Sequence, residues 1–139
     1  MEIRQARPED AREVSGVISE LDTREYGYSD IGHVMDYIRR GRYYVLCENG
    51  AVVGAMALKP VEGSCQIYTI ASRRKGGGRA LVEYAIQKCR KEGVPKLWCW
   101  SMAHYKAKGF YGKLGFEEQY LLKKQWLGMD CFFFGKVID

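Results

Sequence analysis

The chain has 139 residues, of which 47% are hydrophobic, 28% charged and 13% aromatic. A chain of this length buries roughly 70% of the surface it exposes when unfolded, enough for one domain with a real core, and its aromatic and aliphatic content excludes a disordered chain. The net charge of +5 is unevenly spread: residues 1–69 carry eight basic and eleven acidic side chains, whereas residues 70–96 carry eight basic against two acidic.

The first element is a short strand, Glu2–Ala6, ended by Arg7-Pro8. From Pro8 to about Leu21, apolar Ala11, Val14, Val17, Ile18 and Leu21 recur at spacings of three and four, which predicts an amphipathic helix. Pro8 suits its first turn, and Glu9 and Asp10 complement the positive helix end. Asp22 to Tyr28 is polar and aromatic and reads as a loop. Ser29 or Asp30 can cap a second helix through Arg40, with Ile31, Val34, Met35 and Ile38 on its inner face. Tyr43–Cys47 and Ala51–Leu58 then flank Asn49-Gly50, a strong hairpin signal because both turn residues must accept positive φ. Cys65–Ile70 is a further strand, followed by a glycine-rich turn and a helix from about Arg79 to Lys91 that Gly93 and Pro95 end. Lys96–Ser101 is a strand, with Trp98 and Trp100 on one face as core aromatics. Ala103–Leu114 is helical, and two strands, Glu117–Gln125 and Asp130–Val137, close the chain. The order β-α-α-β-β-β-α-β-α-β-β predicts a mixed α/β sheet flanked by helices, in one domain over residues 1–139, since no repeat or linker interrupts it.

The longest apolar run, Ala51–Leu58, is broken by Gly54 and falls far short of the roughly 20 residues that a membrane span demands. Met1 to Arg7 is charged from its second residue, so no secretory signal is expected and a cytoplasmic location is. Cys47, Cys65, Cys89, Cys99 and Cys131 contain no pair with a two-residue gap, and neither His33 nor His104 sits beside one of them. The expectation is reduced thiols and no metal.

The stretch that carries chemistry is Ile70-Ala71-Ser72-Arg73-Arg74-Lys75-Gly76-Gly77-Gly78-Arg79-Ala80-Leu81. A strand running through glycines into a helix leaves backbone N–H groups without partners at the positive end of the helix dipole. Glycine lets that backbone approach a ligand closely, and phosphate is its natural occupant. Neither the Gly-Lys-Ser/Thr of a nucleotide-binding P-loop nor a full Gly-x-Gly-x-x-Gly is present, because position 81 is Leu. The excess of positive charge in residues 70–96 points to the same conclusion: an anion meets this segment. Nucleic acid is disfavoured, because the basic residues occupy one turn and one helix without an interleaved aromatic platform.

Arg73-x-x-Gly76-x-Gly78-Arg79-Ala80-Leu81 resembles the Arg/Gln-x-x-Gly-x-Gly/Ala signature of the GNAT N-acetyltransferase superfamily. Downstream, Ala107-Lys108-Gly109-Phe110-Tyr111-Gly112-Lys113-Leu114-Gly115-Phe116 is similar to that superfamily's Ala-x-x-Phe-Tyr-x-x-x-Gly-Phe segment, and the order of elements agrees over nearly the whole chain. The resemblance implies a GNAT-like, mostly antiparallel twisted sheet and a site for acetyl-CoA as cosubstrate. Carried over residue by residue, Arg73, Arg74, Lys75, Gly76, Gly77, Gly78 and Arg79 surround the pyrophosphate. The main chain around Ile70 to Ser72 pairs with the pantetheine arm, and His104 stands where the family often has an Asn contacting CoA. Two departures stand out. Ile70 and Arg73 are only three apart, so either the strand ends near Tyr68 or the loop is shortened; and Gly77 occupies a position where an aliphatic residue is common.

The implied activity is acetyl transfer to a primary amine by direct attack within a ternary complex. A backbone N–H near Ile70 would meet the oxyanion, and Tyr111, at the family's general-acid position, would protonate the departing thiolate. The base stays open among Glu62, Tyr68, Ser101, His33, Asp30 and a water chain to any of them, since the strand Cys65–Ile70 carries no acid. A non-catalytic acyl-CoA-binding regulatory module is the alternative. The acceptor is a small-molecule or peptide amine, with cationic amines favoured by Asp22, Glu25, Tyr26, Tyr28 and Asp30 at the expected entrance. Neither a membrane nor nucleic acid is expected as a partner, and a homodimer is compatible with the fold.

Overall fold

The computed structural model describes residues 1–23, 26–103 and 107–139. Its elements are β1 (Glu2–Gln5), α1 (Ala11–Ile18), α2 (Ile31–Arg39), β2 (Tyr43–Glu48), β3 (Ala51–Val61), β4 (Ser64–Ser72), α3 (Gly77–Glu92), β5 (Lys96–Met102), α4 (Lys108–Lys113), β6 (Glu118–Trp126) and β7 (Met129–Val137). Seven strands form one mixed sheet in the order β1-β2-β3-β4-β5-β7-β6. The β4–β5 pairing is parallel, while β1–β2, β2–β3, β5–β7 and β6–β7 are antiparallel.

Three tight turns share one chemistry. Asn49-Gly50, Glu62-Gly63 and Leu127-Gly128 each place both residues at positive φ, the conformation that lets a two-residue connection follow the twist of its strands. Asn49-Gly50 announces itself in the sequence and the closing strand pair is expected to turn at Leu127-Gly128-Met129, whereas Glu62-Gly63 leaves no such mark, because Glu is a poor advertiser of a left-handed backbone.

The residues fall into two compact units. The first comprises Met1–Lys59 and Tyr68–Tyr84. The helical periodicity from Pro8 to Leu21 resolves into 3₁₀ turns at Pro8–Asp10 and Ser19–Leu21 on either side of α1. Val14, Val17 and Ile18 of α1 and Val34 and Ile38 of α2 pack with Tyr43, Val45, Ala55 and Ala57 of the strands in one buried cluster. Ile31 is not part of that face. It is 48% exposed, as the first residue of α2, where the helix has not yet turned inward. Asp10 does more than complement a helix end: it is buried and clamped by Arg4, whose Nη1 and Nη2 lie 2.8 and 3.1 Å from its two oxygens. The guanidinium holds this carboxyl below its ordinary pKa against the opposing effect of burial. Buried Thr69 is satisfied by the Tyr43 hydroxyl at 3.0 Å, and burial pushes that phenol up to about 12.

The second unit comprises Pro60–Ile67 and Ala85–Asp139. Its buried residues include Ala85, Ile86 and Cys89 of α3, Leu97 and Cys99 of β5, Phe116, and Phe134 of β7. Trp98 is half-buried and donates its indole N–H to Ser64 Oγ at 2.8 Å. Trp100, expected in the core, is 36% exposed and pairs across the strands with Phe133 on an aromatic sheet face. After β5 the described helix is the six-residue α4, while residues 104–106 of the expected Ala103–Leu114 helix lie outside the described residues.

All five cysteines are free thiols. Among the described residues, no group of three or more potential ligands could hold a metal, and no helix is long and apolar enough to cross a membrane.

Candidate active site

In the first unit, β4 runs to Ser72, so the strand does not end near Tyr68. The loop before Arg73 is short because strand passes directly into turn. The Arg73 amide donates to Val53 O at 2.8 Å, which ties the end of the strand to β3. Ser72 then shapes the turn: its Oγ donates to Arg74 O at 2.9 Å and accepts from the Arg74 amide at 3.1 Å. The Gly77 amide closes on Arg74 O at 2.9 Å, and the Ala80 amide makes a helical bond to Gly76 O at 3.1 Å. Among the described residues, no acceptor lies within hydrogen-bonding reach of the amides of Lys75, Gly76, Gly78 or Arg79. Four N–H donors thus stand together at the positive end of a sixteen-residue helix.

The three glycines serve different ends. Gly76 has φ +80, a conformation that strains any L side chain, yet a Cβ there would meet nothing within 4 Å. Gly77 is required by packing, since a Cβ would come within 2.0 Å of Ser72 Oγ and 2.8 Å of Leu46 Cδ2. This is the physical reason that no aliphatic side chain fits at this position. Gly78 is half-buried in the first turn of α3.

The basic side chains around these donors are mostly committed elsewhere. Arg73 Nη2 donates to Gly16 O on α1 at 2.7 Å. Arg74 pairs with Glu48 and also donates to Lys75 O at 3.0 Å. Arg79 pairs with Glu83 one helical turn on, at 2.9 Å. Among the described residues, Lys75 has no carboxylate partner and is exposed.

The parallel register of β4 with β5 covers Cys65–Ile67 against Leu97–Cys99. Tyr68–Ser72, including Ile70, continues past the last registered pair. Of the groups considered for a base, Tyr68 and His33 are brought together: the Tyr68 hydroxyl lies 3.4 Å from His33 Nε2 and 3.2 Å from the Tyr26 hydroxyl. Asp30 is occupied as the cap of α2, its Oδ2 accepting from the His33 amide at 3.0 Å. Glu62 is exposed in the β3–β4 turn, and Ser101 lies on β5. Asp22 accepts from the Ser29 amide at 2.9 Å and from its hydroxyl, so both of these loop carboxylates hold local turns.

Tyr111 belongs to the second unit. It is 5% exposed, with its ring stacked on Phe134 at 4.8 Å and edge-on to Phe116 at 5.1 Å. Burial first, then the neighbouring Cys99 thiol, raises its pKa well above the ordinary phenol value. Burial likewise pushes Cys99 up to about 12. Both groups are therefore neutral across the working pH range. His104 and Glu25 lie outside the described residues.

A glycine turn with four open donors at a helix start offers the kind of hydrogen bonds that an anion accepts. The sequence profile of the Acetyltransferase (GNAT) family matches residues 6–116, four-fifths of the chain. The chain belongs to the GNAT acetyltransferase family. Membership makes it an acetyl-CoA-dependent acetyltransferase, and the open donors lie on the segment where that family's signature falls. Solved structures agree on the fold of this acetyltransferase. Ard1 from Thermoplasma volcanium superposes with a TM-score of 0.84 at 21% identity, over 99% of this chain and 97% of that one. The ribosomal-protein-S18-alanine N-acetyltransferase from Escherichia coli gives 0.79 at 23% identity, over 99% and 94%. The PaiA N-acetyltransferase from Thermoplasma acidophilum, in complex with coenzyme A, gives 0.78 at 17% identity, over 98% of each chain. No curated protein matches the chain in sequence.

Proposed function

We propose that this chain is a single acetyltransferase domain that moves the acetyl group of acetyl-CoA to a primary amine by direct attack within a ternary complex. The observation that carries this reading is the set of four open amides, Lys75, Gly76, Gly78 and Arg79, at the start of α3. Two negatively charged phosphates fit donors fixed by the backbone, which need no reordering when the ligand arrives. Lys75 adds an uncommitted positive charge, whereas Arg73, Arg74 and Arg79 act mainly by holding the turn in place. Backbone groups of Ile70 to Ser72 receive the pantetheine, and an N–H near Ile70 meets the thioester oxygen as it becomes an oxyanion.

Once the amine nitrogen bonds to the thioester carbon, the tetrahedral adduct collapses by breaking the C–S bond. Tyr111 supplies a proton to the departing sulfur. Burial keeps this phenol protonated, so the proton is present at every turnover, although it makes the phenol a weaker acid than a group whose pKa lies near neutral. That two structural neighbours are a ribosomal-protein-S18-alanine and an aminoglycoside 6'-N-acetyltransferase supports an amine as the acceptor. A cationic acceptor is preferred, since Asp22 and Asp30 place two carboxyl side chains at the loop before α2.

The test is thiol release from acetyl-CoA with a panel of polyamines, lysine peptides, aminoglycosides and acidic amines. Amine-dependent release, fastest with the cationic members, is expected. Tight acetyl-CoA binding without amine-dependent release would instead identify a non-catalytic acyl-CoA-binding module.

A further inference from the structure

The loop before α2, the inner face of α2 and β4 bring five titratable rings together in the first unit. The Tyr68 hydroxyl stands between the Tyr26 hydroxyl, 3.2 Å away, and Nε2 of His33, 3.4 Å away. His33 also packs on Tyr37 at 4.7 Å and on the edge of Tyr26 at 6.0 Å, while Tyr28 is edge-on to Tyr68 at 5.8 Å. The charged groups facing this cluster are Lys59, whose Nζ lies 5.6 Å from the Tyr68 ring centre, and Arg42, 5.2 Å from that of Tyr37. Asp30 contributes its carboxylate to the His33 amide.

Tyr68 is the first β4 residue past the parallel register with β5, and it is half-buried. Burial, then the hydrogen bond with Tyr26, raises its pKa, so it stays a neutral phenol. A neutral phenol passes a proton on and does not keep it. Its oxygen touches two groups that can accept its proton, the Tyr26 hydroxyl, which can equally donate, and an imidazole nitrogen, the one suited to keeping a proton near neutral pH.

We infer that Tyr68 and His33 form the route by which the acceptor ammonium loses its proton, taking the place of a strand carboxylate. This rests on the acetyl-transfer reading above. In the step, an N–H proton of the ammonium passes to the Tyr68 oxygen as the Tyr68 proton passes to His33 Nε2. The imidazolium releases its Nδ1 proton to solvent, which half-exposed His33 reaches, and the nitrogen lone pair set free attacks the thioester carbon. His33 must hold its single proton on Nδ1 before the step, so that Nε2 accepts. The Tyr26 hydroxyl keeps the Tyr68 oxygen in place.

The test compares two acceptors of nearly equal size, methylamine and hydroxylamine, in wild type, Tyr68→Phe, His33→Gln and the double variant. Methylamine is protonated at neutral pH, as any alkylamine of pKa about 10.4 is, whereas hydroxylamine is largely neutral and needs no base. Thiol release is followed with the uncatalysed hydroxylamine reaction subtracted. Each single variant is expected to lower kcat/KM for methylamine about 100-fold and for hydroxylamine by less than about threefold, with the double variant no worse than the singles. Equal losses on both acceptors would make the cluster structural and overturn the relay while leaving acetyl transfer intact, as would an unchanged methylamine rate. His33→Gln, at a half-exposed position, decides the matter if Tyr68→Phe disturbs the packing. A wild-type protein that acetylates no amine at all would remove the acetyl-transfer reading and the relay with it.

Discussion

The glycine turn of the first unit and the Tyr111 nest of the second handle polar groups in opposite ways. At the turn, side chains are committed to the protein and backbone donors are left open: Arg73 holds Gly16, Arg74 holds Glu48, and four amides have no acceptor among the described residues. Around Tyr111, the backbone is ordinary helix and one hydroxyl is packed among aromatic rings, its pKa raised by the packing. Backbone donors suit a ligand that must be held the same way at every turnover. A side-chain hydroxyl kept neutral by burial suits a proton that must be given up once. The difference teaches that the proposed binding residues depend on conformation, and the proposed proton donor on dielectric.

The sharpest way to break the comparison is at the turn. Gly78→Glu brings bulk and like charge to the open amides, and acetyl-CoA affinity is expected to fall at least about 100-fold, or about 2.7 kcal/mol, in a protein that still folds. Calorimetric titration gives the affinity, and an unchanged Kd would remove the pyrophosphate assignment. Gly77→Val should fail differently, because its Cβ meets Ser72 and Leu46 and not the ligand. Overpacking of this kind costs about 1–3 kcal/mol, read as a lower Tm of the unliganded protein. A stable Gly77→Val variant would show that the turn relaxes more easily than its contacts imply.

In the second unit, Tyr111→Phe should leave acetyl-CoA affinity unchanged and lower kcat about tenfold, less than the full range for a lost proton donor, since a thiol of pKa about 8.5 is a tolerable leaving group. The raised pKa fixes the sign of the pH dependence. The phenol stays protonated as pH rises, so Tyr111 causes no alkaline loss of kcat below about pH 10. Unchanged turnover in Tyr111→Phe at neutral and alkaline pH would make this ring a core aromatic and nothing more.

The smallest effects separate the cations of the turn. Lys75→Ala should weaken acetyl-CoA binding severalfold and more so at low salt, because its charge is uncommitted and screened by ions. Arg73→Ala should change affinity less and stability more, by about 1 kcal/mol, through the bond to Gly16 O. If Arg73→Ala proves the more damaging to affinity, its guanidinium leaves Gly16 when ligand binds.

Much of this was legible in the chain. Periodicity located α1 and α2, Asn49-Gly50 marked its hairpin, and the spacing of Arg73, Gly76 and Gly78 marked the turn, because local backbone geometry leaves local traces. What escaped depends on distant partners. The commitment of Arg74 to Glu48 joins residues 26 positions apart, and that of Arg73 to Gly16 joins residues 57 apart. Gly77 stands in the sequence as a departure from an aliphatic position, and its reason, Ser72 and Leu46 filling the space beside it, lies only in the fold. Trp100 alternates correctly with Trp98, yet only the fold shows that it stays 36% exposed. Tyr68 and His33 stood as separate candidates for a base, 35 positions apart, and the sequence held nothing to pair them.

The central claim is that acetyl-CoA is held by the amides of Lys75, Gly76, Gly78 and Arg79. Titration of ¹⁵N-labelled protein with coenzyme A, followed by amide resonances, tests it directly. The account predicts that these four resonances move downfield together, saturate at one affinity, and exchange more slowly with solvent once bound. Saturable binding that leaves these four amides unmoved while others shift would contradict it.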